Sequence, residues 1–199
     1  LKAYKMPHEY YWIDINGFRF IMLDTNYYAH AGGCTHYQYR NYFDFPQARE
    51  TLPQEELDFL KKAIETSPYQ CILCSHASLE RHHNGGGGLS NMNELRDVIR
   101  RANAKERKVI MSLNGHHHRD FLCIKDNVAY FDVNSASFDW LSKPHELFPA
   151  ELCAEYELAA HQAIYSDALS AIVTVSEDGT IKIEGCRTGF LHGITREMS

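Results

Sequence analysis

The chain has 199 residues, of which 44% are hydrophobic and 23% are charged, and its formal net charge is -6 at pH 7. These values exclude a disordered, collagen-like or coiled-coil protein and predict one globular domain over residues 1–199. The charged residues are interspersed, which argues against a nucleic-acid partner, and no apolar run is long enough to cross a bilayer.

The first predicted elements are a β-hairpin and a long loop. The runs YYWIDI and FRFIMLDT are separated by Asn16-Gly17, a dipeptide typical of two-residue hairpin turns. Residues 26–50 have no clean period and many aromatic and histidine side chains, so they are expected to form a functional loop. Four of them are expected to shape a substrate pocket: His30, His36, Tyr37 and Tyr39.

A helix is predicted next, over TLPQEELDFLKKAIETS, residues 51–67. Thr51 is its expected cap, Pro53 lies in its first turn and Gln54 completes a capping box. The expected apolar face consists of Leu57, Leu60 and Ile64.

Two strands with a helix between them follow. YQCILCSH is a short apolar strand that runs into His76, Ser90 opens a second helix, and RKVIMSLNG ends at Gly115. The inward side chains of this helix are expected to be Leu95, Val98 and Ile99. A strand–helix–strand order predicts a right-handed crossover between parallel strands.

The rest of the chain predicts antiparallel structure. FLCI and VAYFDVNS flank a turn at 125–127, and SAIVTVS and TIKIEGC flank a turn at 177–179. Between these hairpins, residues 138–167 show no clear period, apart from a helical turn near ELCAEYELAAH. The predicted fold class is therefore α/β, or more broadly α+β.

Cysteine usage and the first residues bear on the compartment. Six cysteines, most of them in apolar runs, indicate a reducing compartment. Cys71 and Cys74 face opposite sides of a strand, so packed thiols are favoured over a metal site or a redox disulfide. The start LKAYKMPHEYYW lacks the apolar core of a signal peptide, so a cytoplasmic location is favoured.

Histidines follow both parallel strands. Parallel strands carry their following loops on one edge of the sheet, so His76 and the run NGHHHRD are expected to lie together. In an extended segment His116 and His118 would face the same way and His117 elsewhere, with Gly115 allowing a sharp turn. Imidazoles at a sheet edge suit Zn, Fe or Mn. The alternative is an interior His76 beside a solvated histidine turn.

These motifs resemble the calcineurin-like metallophosphoesterases. Ser75-His76 follows one strand, and the next strand is followed by GHxH at residues 115–118. They are framed by YYWIDINGFRFIMLDTN, LPQEELDFL and YFDVNSAS, so the resemblance covers roughly residues 9 to 187.

The resemblance implies a four-layer α/β sandwich with a dinuclear centre that hydrolyses phosphomonoesters or phosphodiesters. In that template His76 and His116 bind one Mn, Fe or Zn ion and His118 binds the other, while no residue of this chain is assigned as catalytic. Two ions at such sites lie about 3.5 to 4 Å apart and hold the phosphate oxygens.

The acidic motifs of that family do not occur. No Asp is followed two places later by His, and neither Gly-Asp nor Gly-Asn-His is present. The chain thus resembles the carboxyl-terminal part of the domain, without its first strands. Three histidines alone are expected to bind at most one ion tightly, and an exposed sheet edge is expected to favour self-association.

Six further residues are predicted to contact substrate or to support the ligands: Asn26, His82, His83, His117, Asp120 and Asn134. For Asn26 and Asn134 the alternative is capping of a strand end. Asp120 either holds the second nitrogen of a ligand histidine or lies in a plain turn. His82 and His83 lie in a glycine-rich loop that either closes over a phosphate or is solvated.

Two functions are consistent with these features. The first is a metal-dependent phosphoesterase of which this chain is an incomplete part. The second is a non-catalytic metal-binding or interaction module that retains only the histidine half of the site.

Overall fold

The computed structural model describes residues 5–37, 49–80, 88–145 and 148–195. The strands are β1 (Tyr11–Ile15), β2 (Phe18–Met22), β3 (Tyr27–His30), β4 (Gly33–His36), β5 (Arg49–Thr51), β6 (Gln70–Cys74), β7 (Val109–Asn114), β8 (Phe121–Lys125), β9 (Val128–Asp132), β10 (Phe138–Trp140), β11 (Gln162–Ile164), β12 (Ala171–Val175) and β13 (Ile181–Gly185). The helices are α1 (Gln54–Glu65), α2 (Met92–Asn103), α3 (Ala150–Glu155) and a 3-10 helix (Glu157–His161).

These elements divide between two compact units. The first unit comprises Leu1–His117 and Phe121–Asp132, and the second comprises His118–Asp120 and Val133–Ser199. One domain can contain two such units, so the expectation of a single domain stays a prediction.

A six-stranded mixed sheet forms the first unit, in the order β1-β2-β6-β7-β9-β8. The pairs β2–β6, β6–β7 and β7–β9 are parallel, and the outer pairs β1–β2 and β8–β9 are antiparallel hairpins. The turns use positive φ angles at Asn16 and Gly17 (47° and 81°) and at Asp126 and Asn127 (50° and 62°), as two-residue hairpin turns require. The predicted α/β class, the hairpins and the parallel crossover are confirmed.

Helices α1 and α2 cover one face of this sheet. Leu57, Leu60 and Ile64 of α1 are buried as predicted. The buried core also includes residues of α2 and the strands: Leu95, Ile99, Ile21, Cys71, Leu73, Val109, Val128 and Tyr130. Cys71 is buried and Cys74 is half-buried, both as free thiols, and burial raises the pKa of Cys74 to about 11, as expected of packed thiols.

The predicted helix caps are wrong. Helix α1 begins at Gln54 after Pro53, without a side-chain cap, because Thr51 ends strand β5. Helix α2 begins at Met92, with Asn91 rather than Ser90 before it. The Asn91 side chain instead accepts a hydrogen bond from the backbone N–H of Leu52 (3.1 Å) and donates one to its carbonyl (2.7 Å). Asn91 thus occupies the capping position of α2, but its side chain bonds Leu52 instead of the helix.

Part of the predicted long loop at residues 26–50 is a sheet, which corrects that prediction. Strands β4, β3 and β5 pair antiparallel in that order, and Ala31-Gly32 connects β3 to β4. These strands could not be predicted from an alternating apolar pattern, because they are only three or four residues long and carry polar or aromatic residues on both faces. Tyr39 lies outside the described residues.

The second unit contains two short antiparallel pairs, β10–β11 and β12–β13. Helix α3 and the 3-10 helix confirm the helical turn predicted near residues 151–161. Leu141, Ala163 and Ile194 form a small buried cluster.

None of the helices in the described ranges is long and apolar enough to cross a membrane.

The sheet core predicts a sharp contrast between two leucines. Leu73 is fully buried in β6, whereas Leu122 in β8 is 53% exposed. Leu73→Ala is expected to lower the free energy of unfolding by about 2–5 kcal/mol, because it leaves a cavity. Leu122→Ala should change it by less than about 0.5 kcal/mol. Urea unfolding followed by circular dichroism measures both, and equal losses would contradict the assigned core.

Candidate functional site

The carboxyl ends of β6 and β7 are tied together beyond the strands themselves. The Ser75 N–H donates to the Leu113 carbonyl (3.1 Å), and the Gly115 N–H donates to the His76 carbonyl (3.0 Å). The buried Asn114 amide donates to Ser75 Oγ (2.6 Å) and to the Ala77 carbonyl (3.1 Å). These bonds fix the backbone that carries His76 against the backbone that leads to His116.

His76 and His116 face each other at this edge, as the sequence predicts. His116 Nδ1 lies 3.1 Å from His76 Nε2, and the ring planes meet at 84°. Two nitrogen ligands of a tetrahedral ion, with bonds of about 2.0–2.1 Å, are about 3.3 Å apart. The spacing therefore fits a pair of ligands on one ion, and without an ion one ring donates a hydrogen bond to the other.

Glu50 lies on the other side of the His116 ring. Its Oε1 atom is 3.6 Å from His116 Nε2, and Glu50 belongs to β5. Sequence reasoning missed this residue because it assigned residues 26–50 to a loop. A strand of three residues is too short to show an alternating pattern, so the sequence does not reveal that β5 pairs with β3.

The histidine run is bent rather than extended, which corrects the argument that pairs His116 with His118. His116 and His118 have φ angles of 73° and 57°, so the two-residue period of an extended chain does not apply. Gly115 is not among the residues with positive φ, and a Cβ there would meet the His76 carbonyl oxygen at 3.9 Å, an ordinary contact. The turn thus occurs at the histidines. The His117 ring lies 5.2 Å from that of His116.

His118 belongs to the second unit and contacts aromatic residues there. Its Nδ1 atom lies 3.1 Å from the Phe138 carbonyl oxygen, and its ring centroid lies 4.4 Å from that of Phe138 and 5.4 Å from that of Trp140. When Nδ1 donates to the carbonyl, Nε2 carries the lone pair. Ligand histidines commonly have this arrangement, because a bond at one nitrogen sets which nitrogen can bind metal.

Within the described ranges, no group of three or more His, Cys, Asp or Glu side chains converges closely enough to hold a metal ion. Two features are compatible with metal ligation: the 3.1 Å approach of His76 to His116 in the first unit and, separately, the hydrogen-bonding pattern of His118 in the second. Metal binding by these three histidines stays a prediction. His82 and His83 lie outside the described residues.

The end of β2 reaches the same edge, as predicted for a parallel neighbour. The Leu23 N–H donates to the Cys74 carbonyl, and Thr25 Oγ1 accepts from the Ala77 N–H, both at 2.8 Å. The Asn26 side chain donates to buried Asp24 (2.7 Å), a local turn contact. Its predicted contact with substrate stays a prediction.

His36, at the end of β4, forms an ion pair or hydrogen bond with the other Asp24 oxygen at a distance of 2.9 Å. This buried carboxylate orients an imidazole that is 36% exposed. The small sheet therefore brings two residues, His36 and Glu50, toward the carboxyl edge of the large sheet.

Asn134 and Asp120 contact each other in the second unit. The Asn134 amide donates to Asp120 (3.2 Å) and its oxygen accepts from the Tyr165 hydroxyl (2.9 Å). In the described part of the chain, Asp120 thus contacts an amide rather than an imidazole. The roles predicted for Asn134 and Asp120 at substrate or ligands stay predictions.

Glu56 of α1 is a fully buried carboxyl group beside this edge. Its Oε1 accepts a hydrogen bond from the Asp24 N–H (2.6 Å), and its Oε2 has no hydrogen-bond partner among the described residues. Burial, more than the nearby Asp24 charge, raises the pKa of Glu56 to about 8. At neutral pH the group is therefore mainly protonated.

Comparisons with known proteins find similarity only at the level of solved structures. No protein-family model and no curated protein matches the chain. A dimetal phosphatase from Danio rerio is 12% identical, with 63% of this chain and 48% of that chain covered and a TM-score of 0.48. GAP50, the anchor in the inner membrane complex of Plasmodium, is 13% identical, with 93% and 56% covered and a TM-score of 0.46.

A Staphylococcus aureus protein described as a 5'-nucleotidase, in complex with alpha-ketoglutarate, is 13% identical, with 98% of this chain and 32% of that chain covered and a TM-score of 0.36. The chain thus spans between 32% and 56% of the length of these three structures. At such identities and TM-scores, we take the residues of this chain, and not these neighbours, as the basis for its function.

The buried carboxyl predicts a defined pH dependence of stability. The pKa of Glu56 is about 8 in the folded chain, against 4.5 for an ordinary glutamate, so the folded state binds the extra proton between these values. Its contribution to stability is complete below pH 4.5 and falls as pH rises toward 8, by up to about 1.4 kcal/mol per pH unit.

Glu56→Gln keeps an acceptor for the Asp24 N–H but cannot ionise, so this slope should disappear in the variant. The free energy of unfolding from urea titrations at pH 5, 6, 7 and 8 measures the slope. Glu55→Gln, at the exposed neighbouring position, is the control and should keep the slope of the unsubstituted chain. Parallel pH profiles for Glu56→Gln and the unsubstituted chain would contradict the raised pKa.

Proposed function

We propose that this chain supplies the histidine part of a metal-dependent phosphoesterase that hydrolyses phosphomonoesters or phosphodiesters at a dinuclear site. The observation that carries the proposal is the 3.1 Å approach of His116 Nδ1 to His76 Nε2 at the ends of adjacent parallel strands. The SH and GHxH motifs on these strands, which resemble the calcineurin-like metallophosphoesterases, support it from the sequence.

His76 Nε2 and His116 Nδ1 would hold one ion, and His118 Nε2 is the proposed ligand of the other. Imidazole ligands suit Zn, Fe and Mn. When bound, ions of this class stabilise negative charge on phosphoryl oxygens as Lewis acids.

The charges at the edge of the first unit give the proposal a physical rationale. Asp24 and Glu50 place carboxylates at the edge where the two histidines lie. These carboxylates repel a phosphate and attract a cation, so a cation bound at the histidines would reverse the sign of the interaction with substrate. Phosphoester binding is accordingly expected to require metal.

A non-catalytic metal-binding module is the second candidate. It is favoured by the lack of Asp-x-His, Gly-Asp and Gly-Asn-His motifs in the sequence. This candidate shares the metal ligands with the first but predicts no hydrolysis.

Removal of one ligand tests the shared part of both candidates. His116→Ala is expected to weaken Zn²⁺ or Mn²⁺ binding by more than about 100-fold, since it deletes a ligand rather than an outer-shell partner. Metal content by plasma mass spectrometry after dialysis without chelator, and titration calorimetry, measure the loss. His8→Ala is the control, because His8 is exposed and contacts its chain neighbours Glu9 and Tyr10 in the described part of the chain.

Hydrolysis separates the candidates. The chain is assayed with p-nitrophenyl phosphate and bis-p-nitrophenyl phosphate in the presence of Mn²⁺, Zn²⁺ or Fe²⁺. Metal-dependent turnover that His116→Ala abolishes supports the phosphoesterase. Metal binding without turnover supports the module, and a chain that binds no metal contradicts both.

A further inference from the structure

Glu50 faces the one nitrogen of His116 that does not face His76. Its Oε1 lies 3.6 Å from His116 Nε2, while His116 Nδ1 lies 3.1 Å from His76 Nε2. Both side chains are partly shielded from solvent, with exposures of 21% for Glu50 and 37% for His116. The ring therefore has a carboxylate on one side and a second imidazole on the other.

Strand β5, which carries Glu50, is fixed by contacts of Glu50 and of the nearby Leu52. It pairs with Tyr28 of β3, and its carbonyl accepts a hydrogen bond from the Ser90 N–H at 2.7 Å. Two residues further on, the N–H and carbonyl of buried Leu52 both bond the Asn91 side chain. Strand β5 thus presents Glu50 from a fixed position, rather than from a loose loop.

An imidazole can bind a metal only through the nitrogen that lacks a proton, so the partner of the other nitrogen decides which one is available. A carboxylate near Nε2 favours the proton there and leaves the lone pair on Nδ1. In His116 that lone pair is directed toward His76 Nε2, the second ligand atom of the proposed pair.

We propose that Glu50 is a positioning residue for the metal ligand His116: it keeps the Nε2 proton and orients the ring so that Nδ1 binds the ion together with His76. This inference rests on the proposed metal site. The distance of 3.6 Å is longer than a hydrogen bond, and the contact is expected to shorten when a bound ion fixes the ring.

The test measures Zn²⁺ affinity by titration calorimetry with the full chain, unsubstituted and as Glu50→Gln and Glu50→Ala. Both variants are expected to bind about 10- to 100-fold more weakly, as when outer-shell partners are removed elsewhere. Glu65→Gln, at an exposed position in the last turn of α1, is the matched control and should leave the affinity unchanged. Circular dichroism verifies that each variant is folded.

Two further readouts separate positioning from a structural role. Long-range ¹H–¹⁵N spectra report which His116 nitrogen carries the proton; this is expected to be Nε2 in the unsubstituted chain, with mixed tautomers in Glu50→Ala. In the His116→Ala background, Glu50→Gln should cause no additional loss of Zn²⁺ affinity, because Glu50 acts through His116.

The outcomes distinguish this inference from the proposed function. If the unsubstituted chain and Glu50→Gln bind Zn²⁺ equally, or if His116 carries its proton on Nδ1, the role of Glu50 is overturned while the metal site stands. Additive losses in the double variant also overturn it. If the unsubstituted chain binds no Zn²⁺, both proposals are overturned together.

Discussion

Parallel alignment of β2, β6 and β7 decides where the candidate functional residues of the first unit lie. Strands that run the same way end at the same edge, so the segments after Met22, Cys74 and Asn114 emerge side by side. Hydrogen bonds from Leu23 to Cys74 and from Ser75 to Leu113 continue the pairing past the strands. The apolar face under α1 and α2 stabilises this alignment, because a shift in register would expose Ile21 and Leu73.

Buried polar groups at this edge are the second constraint. The buried Asn114 side chain forms hydrogen bonds with Ser75, Ala77 and Ser112. Both of its polar atoms are therefore paired, and these bonds fix the turn. Glu56 is different, because one of its oxygens lacks a hydrogen-bond partner in the described part of the chain. Holding that carboxyl neutral is the less costly solution, and its raised pKa follows from this. The edge thus contains a fully hydrogen-bonded amide, Asn114, and a buried carboxyl group with a raised pKa, Glu56.

The sequence predicted those features that depend on long periodic runs or on specific turn residues. The three hairpins, the buried faces of α1 and α2 and the approach of His76 to His116 follow from apolar patterns, turn residues such as Asn16-Gly17 and the crossover rule. Features that depend on tertiary contacts were missed. Glu50 reaches His116 because β5 pairs with β3. Asn91 precedes α2, but its side chain bonds Leu52 and does not cap the helix.

Among the described residues of the first unit, the histidine pair offers only part of a metal coordination shell. A structural zinc site is closed by about four protein ligands, whereas a catalytic site keeps positions open for water or substrate. His76 is exposed, and the pair supplies two imidazoles with one carboxylate behind the His116 ring. An ion bound there by these residues would retain open positions, and Glu50 would increase the basicity of one ligand without occupying any of them. Within the first unit, such an ion would have room for an exchangeable oxygen ligand, such as the phosphate of the proposed substrate.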